Sequence, residues 1–261
     1  MMPVGTPTQP PPGRGRGRFG VFCSISLVTL LLTTSAASAE SVNVAVAANF
    51  TAVAEALAAL FSAETGHEVV LSFGSTGGLY AQISQAAPFG VFLAADIARP
   101  QRAIAEGHAV AGSFFVYAEG RLALYGPGLE PGDAVAALEG DFRQIAIADP
   151  EAAPYGKAAV ETLTGLELYA ALAPKVVWGE NISQVLQFVE TGNAELGFVA
   201  ASQVLGKGNQ ILVPAEWHEP IAQGAVLLRE GENNPAALAF VDFLRSDAAV
   251  AVIEAAGYSV P

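Results

Sequence analysis

Four short stretches of the chain hold the residues best suited to grip a small charged group. They are Ala47-Ala48-Asn49, Gly74-Ser75-Thr76-Gly77-Gly78, Asp149-Pro150-Glu151-Ala152-Ala153-Pro154-Tyr155-Gly156 and Trp178-Gly179-Glu180-Asn181-Ile182-Ser183. Each ends an apolar, strand-like run and opens a segment of helical spacing. Each therefore sets the unpaired N–H groups of a helix start, at the positive end of its dipole, just beyond a strand. That is a standard way of holding an anion. Apart from Lys157, none of the four offers a cationic side chain. The plainer alternative for Asn49, Ser75 and Thr76 is helix capping, a common task for these residue types.

Catalytic arrangements do not assemble. The mature chain has no G-x-S-x-G elbow, no S-x-x-K and no G-x-G-x-x-G. The nearest phosphate-loop string, Glu151 to Ala158, lacks its first glycine and carries alanine where a magnesium-binding hydroxyl is required. Asp96 and Asp149 stand at strand ends as a conceivable carboxylate pair, but aspartates there more commonly hold turns. Leu79, Tyr80 and Ile83 fit a helix packed on a core, and Trp217-His218 sits in a polar turn without a visible partner. One cysteine, Cys23, and histidines only at 67, 108 and 218 exclude a disulfide framework and a Cys/His metal cluster.

The elements that must position the four stretches follow from pattern. Over 261 residues, 52% apolar and 14% charged side chains allow a sizeable core, and a net charge of −13 argues against a nucleic-acid partner. Strands are expected at Val42–Ala47, Glu68–Phe73 and Val91–Ala95. Helices are expected at Thr51–Thr65, with Val53, Leu57, Leu60 and Phe61 on one face, at Gly77–Ala86 and at Arg99–Glu106. This order implies a parallel sheet covered by helices. The extended run Phe114–Tyr125, broken at Gly120, fits a crossing between lobes. A second set has strands at Gln144–Ala148, Lys175–Trp178, Leu196–Ala200 and Gln210–Val213, with helices near Gly156–Thr164 and Ser183–Glu190. Ile221–Leu228 is a return strand, and Pro235–Ala256 holds one or two helices. In open α/β sheets ligands sit beyond the carboxyl ends of strands, so four such ends converge on one cleft.

Residues 1–39 read as a leader. A Pro-rich start, Arg14, Arg16 and Arg18, an apolar run from Phe19 to about Leu32 and the small residues Ala37-Ser38-Ala39 form a secretory signal peptide. The apolar run is short of the ~20 residues of a membrane span. Removal at Ala39 takes three arginines, no acids and the single cysteine, leaving 9 basic and 25 acidic side chains.

Taken together, VAANFT at 46–51, SFGSTGGLYAQI at 72–83, AAD at 94–96, ADPEAAPYGKAA at 148–159 and GENISQVLQFVETGNAELGFV at 179–199 resemble the periplasmic molybdate-binding proteins of ABC importers. The strings occur in order over essentially the whole mature chain. The resemblance implies an α/β type II periplasmic-binding-protein fold of two lobes joined by crossover strands, with lobe 1 over 40–120 and 222–261 and lobe 2 over 121–221. It implies that Asn49 and Ala48 bind the oxyanion after the first strand, and Ser75 and Thr76 at the second helix start. Tyr155 and Ile182 supply backbone N–H groups, with the Tyr155 ring as rim packing. Two departures stand out. Ala200-Ala201 replace a tyrosine that some members carry, so the Asn49 amide is expected to stand in as donor. An aspartate that many members carry near Gly90 is also missing.

What the resemblance implies is a periplasmic, monomeric receptor with no cofactor, no free metal cation and no catalysis, delivering molybdate or tungstate to an ABC membrane permease. Donor-only chemistry suits these dianions, which carry no proton at neutral pH, and a closed cleft strengthens each hydrogen bond. A receptor for sulfate or another tetrahedral oxyanion is the alternative within the class. A secreted α/β hydrolase is the alternative outside it, and would need a nucleophile–base pair.

Overall fold

The computed structural model of the protein describes residues 39–261. The expected leader lies, but for Ala39, outside them. The first half of the fold is a five-stranded sheet built from β1 (Ser41–Ala47), β2 (Glu68–Gly74), β3 (Val91–Leu93), β4 (Phe115–Gly120) and β10 (Ile221–Leu227). Their order is β2-β1-β3-β10-β4, with β1 parallel to β2 and β3, and β10 antiparallel to β3 and β4. The second half repeats the plan with β5 (Leu122–Tyr125), β6 (Ile145–Ala148), β7 (Val176–Gly179), β8 (Leu196–Ala200) and β9 (Gln210–Leu212). Here the order is β7-β6-β8-β5-β9, with β6 parallel to β7 and β8, and β5 antiparallel to β8 and β9. The halves are called the first and second lobe below.

Helices cover both sheets. In the first lobe these are α1 (Thr51–Thr65), α2 (Thr76–Ser84), α3 (Ala98–Ala105), α8 (Pro235–Phe243) and α9 (Asp247–Ala255). In the second they are α4 (Ala134–Leu138), α5 (Pro154–Gly165), α6 (Tyr169–Leu172) and α7 (Ile182–Glu190). The apolar face expected of α1 is real: Val53, Leu57 and Phe61 are buried, and Phe61 packs on Phe240 and Phe243 of α8. One core centres on Phe50, Phe61, Leu93 and Phe240, and another on Leu122, Leu124, Ile147 and Phe198.

The extended run Phe114–Tyr125 divides at Gly120-Arg121, with β4 in the first sheet and β5 in the second. The return from β9 to β10 makes a second crossing. Elsewhere the sequence expectations shift by small amounts. β3 ends at Leu93 rather than Ala95, because the Ala94 and Ala95 N–H groups turn to Gly224 O and Thr76 Oγ1. The C-terminal run resolves into two helices, the second capped by Ser246 Oγ accepting from Ala249 N. The short helices α4 and α6 were not expected from the sequence; at 5 and 4 residues they carry too little periodicity to register. Among the described residues no helix is long and apolar enough to cross a membrane.

Candidate functional site

All four strand-to-helix junctions meet at one small cavity between the lobes. Ala48, Asn49, Ser75, Thr76, Tyr155 and Ile182, the six residues expected from the sequence, all line it. Its volume is about 10 Å³, on the order of one water-sized sphere. No charged side chain stands in the wall.

Each junction presents its donors in a different way. Ser75 is the N-cap of α2, its Oγ accepting from Gly78 N at 3.3 Å. Thr76 is the next residue and caps nothing. It is buried, and its Oγ1 accepts from Ala95 N at 3.1 Å, which leaves the hydroxyl proton free to donate. Asn181 caps α7 by accepting from Ser183 N and Gln184 N, so the N–H of Ile182, first in that helix, has no partner within it. Pro154 opens α5 and has no N–H to lose there, which leaves Tyr155 N as the first donor of the helix. Ala48 and Asn49 lie in a 3-10 turn ahead of α1.

Capping does not explain Asn49. The N-cap of α1 is Phe50 and makes no side-chain cap bond. Asn49 is instead buried, and both hydrogens of its Nδ2 are spent, on Gln223 Oε1 at 2.9 Å and Tyr258 Oη at 3.1 Å. In this orientation the amide does not donate into the cavity. To donate into the cavity the amide must turn over, and Gln223 with it. Gln223 Nε2 would then donate to Asn49 Oδ1, and Tyr155 Oη to Gln223 Oε1. The groups already in contact satisfy either polarity, since amides and phenols both donate and accept.

That network was invisible in the sequence. Tyr117 Oη donates to Gln223 Oε1 at 3.1 Å, Gln223 Nε2 to Tyr155 Oη at 3.3 Å, and Ser202 Oγ to Tyr258 Oη at 2.8 Å. Gln223 is fully buried and lies where β10 slips register against β4, the kind of bulge that re-aims a side chain. Burial pushes the phenols of Tyr117 and Tyr155 well above their ordinary pKa and raises that of Tyr258, so all three remain neutral. The Tyr155 ring is likewise not rim packing. It is among the largest fully buried side chains, and its phenol oxygen would lie 2.0 Å from a Cβ placed on Gly120. Only glycine at the crossing leaves room for it.

The lobes are closed on one another. Ser183 Oγ donates to Ala48 O at 3.0 Å, and Gly77 N to Ala152 O at 2.8 Å. Lys157, the one cation of the four junctions, is turned aside onto Glu161 and Glu219; the bond to Glu161 is the main reason its pKa is raised. Asp149 holds a turn by accepting from Glu151 N, and Asp96 pairs with Arg99, so neither carboxylate acts as half of a pair. His218 Nδ1 contacts only the Glu219 carbonyl. Among the described residues no three His, Cys, Asp or Glu side chains are grouped to hold a metal ion.

Comparison with known proteins agrees with this geometry. A family model described as bacterial extracellular solute-binding protein matches residues 42–259. The molybdate-binding protein ModA of Rhodobacter capsulatus is 48% identical over 227 residues, 85% of this chain and 89% of its own. That of Azotobacter vinelandii is 49% identical over 236 residues, 88% of this chain and 94% of its own. The solved periplasmic molybdate-binding protein of Azotobacter vinelandii superposes with a TM-score of 0.81 at 38% identity, covering 84% of this chain and 99% of that one. Sheet order, closed cleft and these likenesses together show that the chain belongs to the bacterial extracellular solute-binding proteins, in the family of the molybdate-binding proteins.

Proposed function

We propose that the protein is a periplasmic receptor that closes on molybdate or tungstate and delivers it to an ABC import permease. The observation that carries this is the cavity: about 10 Å³, ringed by helix-start N–H groups and hydroxyls from both lobes, with no charged side chain in its wall. So small a space excludes a sugar or peptide and limits the ligand to the most compact anions. Uncharged donors suit a fully deprotonated dianion, whose oxygens accept and never donate. In this reading Thr76 and Ser75 donate hydroxyl protons, and Ala48, Tyr155 and Ile182 donate backbone N–H groups. Asn49 donates once its amide has turned over. The lobes divide at 40–120 with 222–261 and at 121–221. The receptor acts as a monomer without cofactor, nucleic acid or catalysis, and its relatives' molybdate binding supports the choice of ligand.

Calorimetric titration with molybdate, tungstate, sulfate and phosphate in parallel tests the reading. Molybdate and tungstate should each saturate one site, with sulfate much weaker and phosphate weaker still. Tighter binding of sulfate or phosphate would overturn the ligand while leaving an oxyanion receptor. Export follows from the leader: the mature chain should begin at Glu40, because Ala37 and Ala39 occupy the small-residue positions before it. N-terminal sequencing of periplasmic material checks this, and a chain still starting at Met1 would contradict it.

A further inference from the structure

A cation grips the far side of the anion-binding loop without touching the cavity. Arg99, in the first turn of α3, is held by Asp96. Its own N donates to Asp96 Oδ1 at 2.9 Å, and its Nη1 meets Asp96 Oδ2 at 2.5 Å. Thus oriented, Nη2 crosses to the second lobe and donates to Glu151 O at 2.5 Å. The next carbonyl, Ala152 O, accepts from Gly77 N at 2.8 Å. From behind, Asp149 pins the same turn: its carboxylate accepts from Glu151 N, and its carbonyl from Ala152 N and Ala153 N. Two successive carbonyls of one turn are therefore held by the opposite lobe. Three residues after Ala152, the chain brings Tyr155 to the cavity wall.

We propose that Arg99, with Gly77, is a positioning latch that holds the 149–153 turn against the first lobe and so sets how slowly the bound anion leaves. This rests on the oxyanion-receptor reading above. A fork of donors fixed by a carboxylate can bond a carbonyl and an acid at once, which a lysine's single point charge cannot do with the same geometry. The bond to Glu151 O exists only when the lobes are together, so it stabilises the closed state and adds nothing to the open one. Gly77 serves the same contact from the other side. A Cβ there would stand 3.0 Å from Ala152 Cα and 3.1 Å from Arg99 Nη2. Within the first lobe only the far end of the Arg99 side chain comes that close, and alanine is the better helix residue. The position is reserved for the approach of the second lobe.

Arg99 also lines a groove of about 730 Å³ that opens beside the cavity and has Lys157 in its other wall. Lys157 is paired within the second lobe's own side, which makes it the natural control for removing a cation from this groove.

The test measures release of labelled molybdate chased with excess unlabelled molybdate, alongside the calorimetric dissociation constant and the melting temperature without ligand. Arg99→Met, which keeps the apolar stem, should speed release about tenfold, the size of one hydrogen bond from a charged donor. The association rate and the ligand-free melting temperature should barely move. Arg99→Lys should fall between it and the parent protein. Gly77→Ala should also speed release, without lowering the ligand-free melting temperature. Lys157→Met should release at the parent rate. Unchanged release in both Arg99→Met and Gly77→Ala would overturn the latch, as would a slower association that accounts for the whole affinity loss. If the parent protein retains no molybdate, the ligand assignment has failed instead. The same chase is then run with whichever anion of sulfate, tungstate or phosphate it does retain.

Discussion

Tyr155→Ala is expected to cost about 3–5 kcal/mol of stability, the range for emptying an aromatic side chain from a core. The ring lies in the second lobe's core, fully buried, while its hydroxyl reaches the first lobe's Gln223 beside Gly120. Removing it leaves a cavity at the crossing and strips Gln223 Nε2 of its acceptor. Tyr155→Phe removes only the hydroxyl and should cost about 1–3 kcal/mol, mostly from the unsatisfied amide left behind. Urea denaturation of the ligand-free protein separates the two. The phenylalanine variant should still bind molybdate with nearly parental affinity, because the donor assigned at this position is the backbone N–H. A loss below about 1 kcal/mol in Tyr155→Ala would show that the ring does not carry the core packing described here.

Thr76→Val should weaken molybdate binding roughly 10- to 150-fold, the effect of about 1.5–3 kcal/mol for a hydrogen bond to a charged partner. Valine matches the shape of threonine and removes only the hydroxyl. It also leaves Ala95 N without its acceptor, so some loss of stability accompanies the loss of affinity. Thr76→Ser resolves the two effects. It keeps the hydroxyl, so affinity should return to within a few-fold of the parent protein, whatever the missing methyl does to stability. Parental affinity in Thr76→Val would remove Thr76 from the anion's donors. Asn49→Ala is a less clean probe than its sequence position suggests, because the same amide ties Gln223 to Tyr258.

Legibility divided along the chain according to the range of the interactions. Helix α1 is read from the sequence with its observed ends, Thr51 and Thr65, because its apolar face and the glycine after it are local signals. The junctions at Ser75-Thr76, Tyr155 and Ile182 are visible for the same reason: a cap residue or an N1 proline declares where the free N–H groups begin. What those residues do with their side chains is less visible. Thr76 reads equally well as a cap, and only its bond from Ala95 N, 19 residues away, shows that its proton is left free.

The sequence by itself determined the alternation of strands and helices, the division of the elements into two sets, and the four helix starts whose backbone groups suit an anion. Each of these depends on periodicity or capping within a few residues, so the information is carried in the order of side chains along the chain. The tertiary structure alone decided that the Asn49 amide faces Gln223 and Tyr258, that the Tyr155 ring is core rather than rim, and that Arg99 closes on Glu151. These contacts join residues 174, 209, 68 and 52 positions apart. Hydrogen bonding between such groups depends on which strand neighbours which and where β10 slips its register, and no local pattern encodes either.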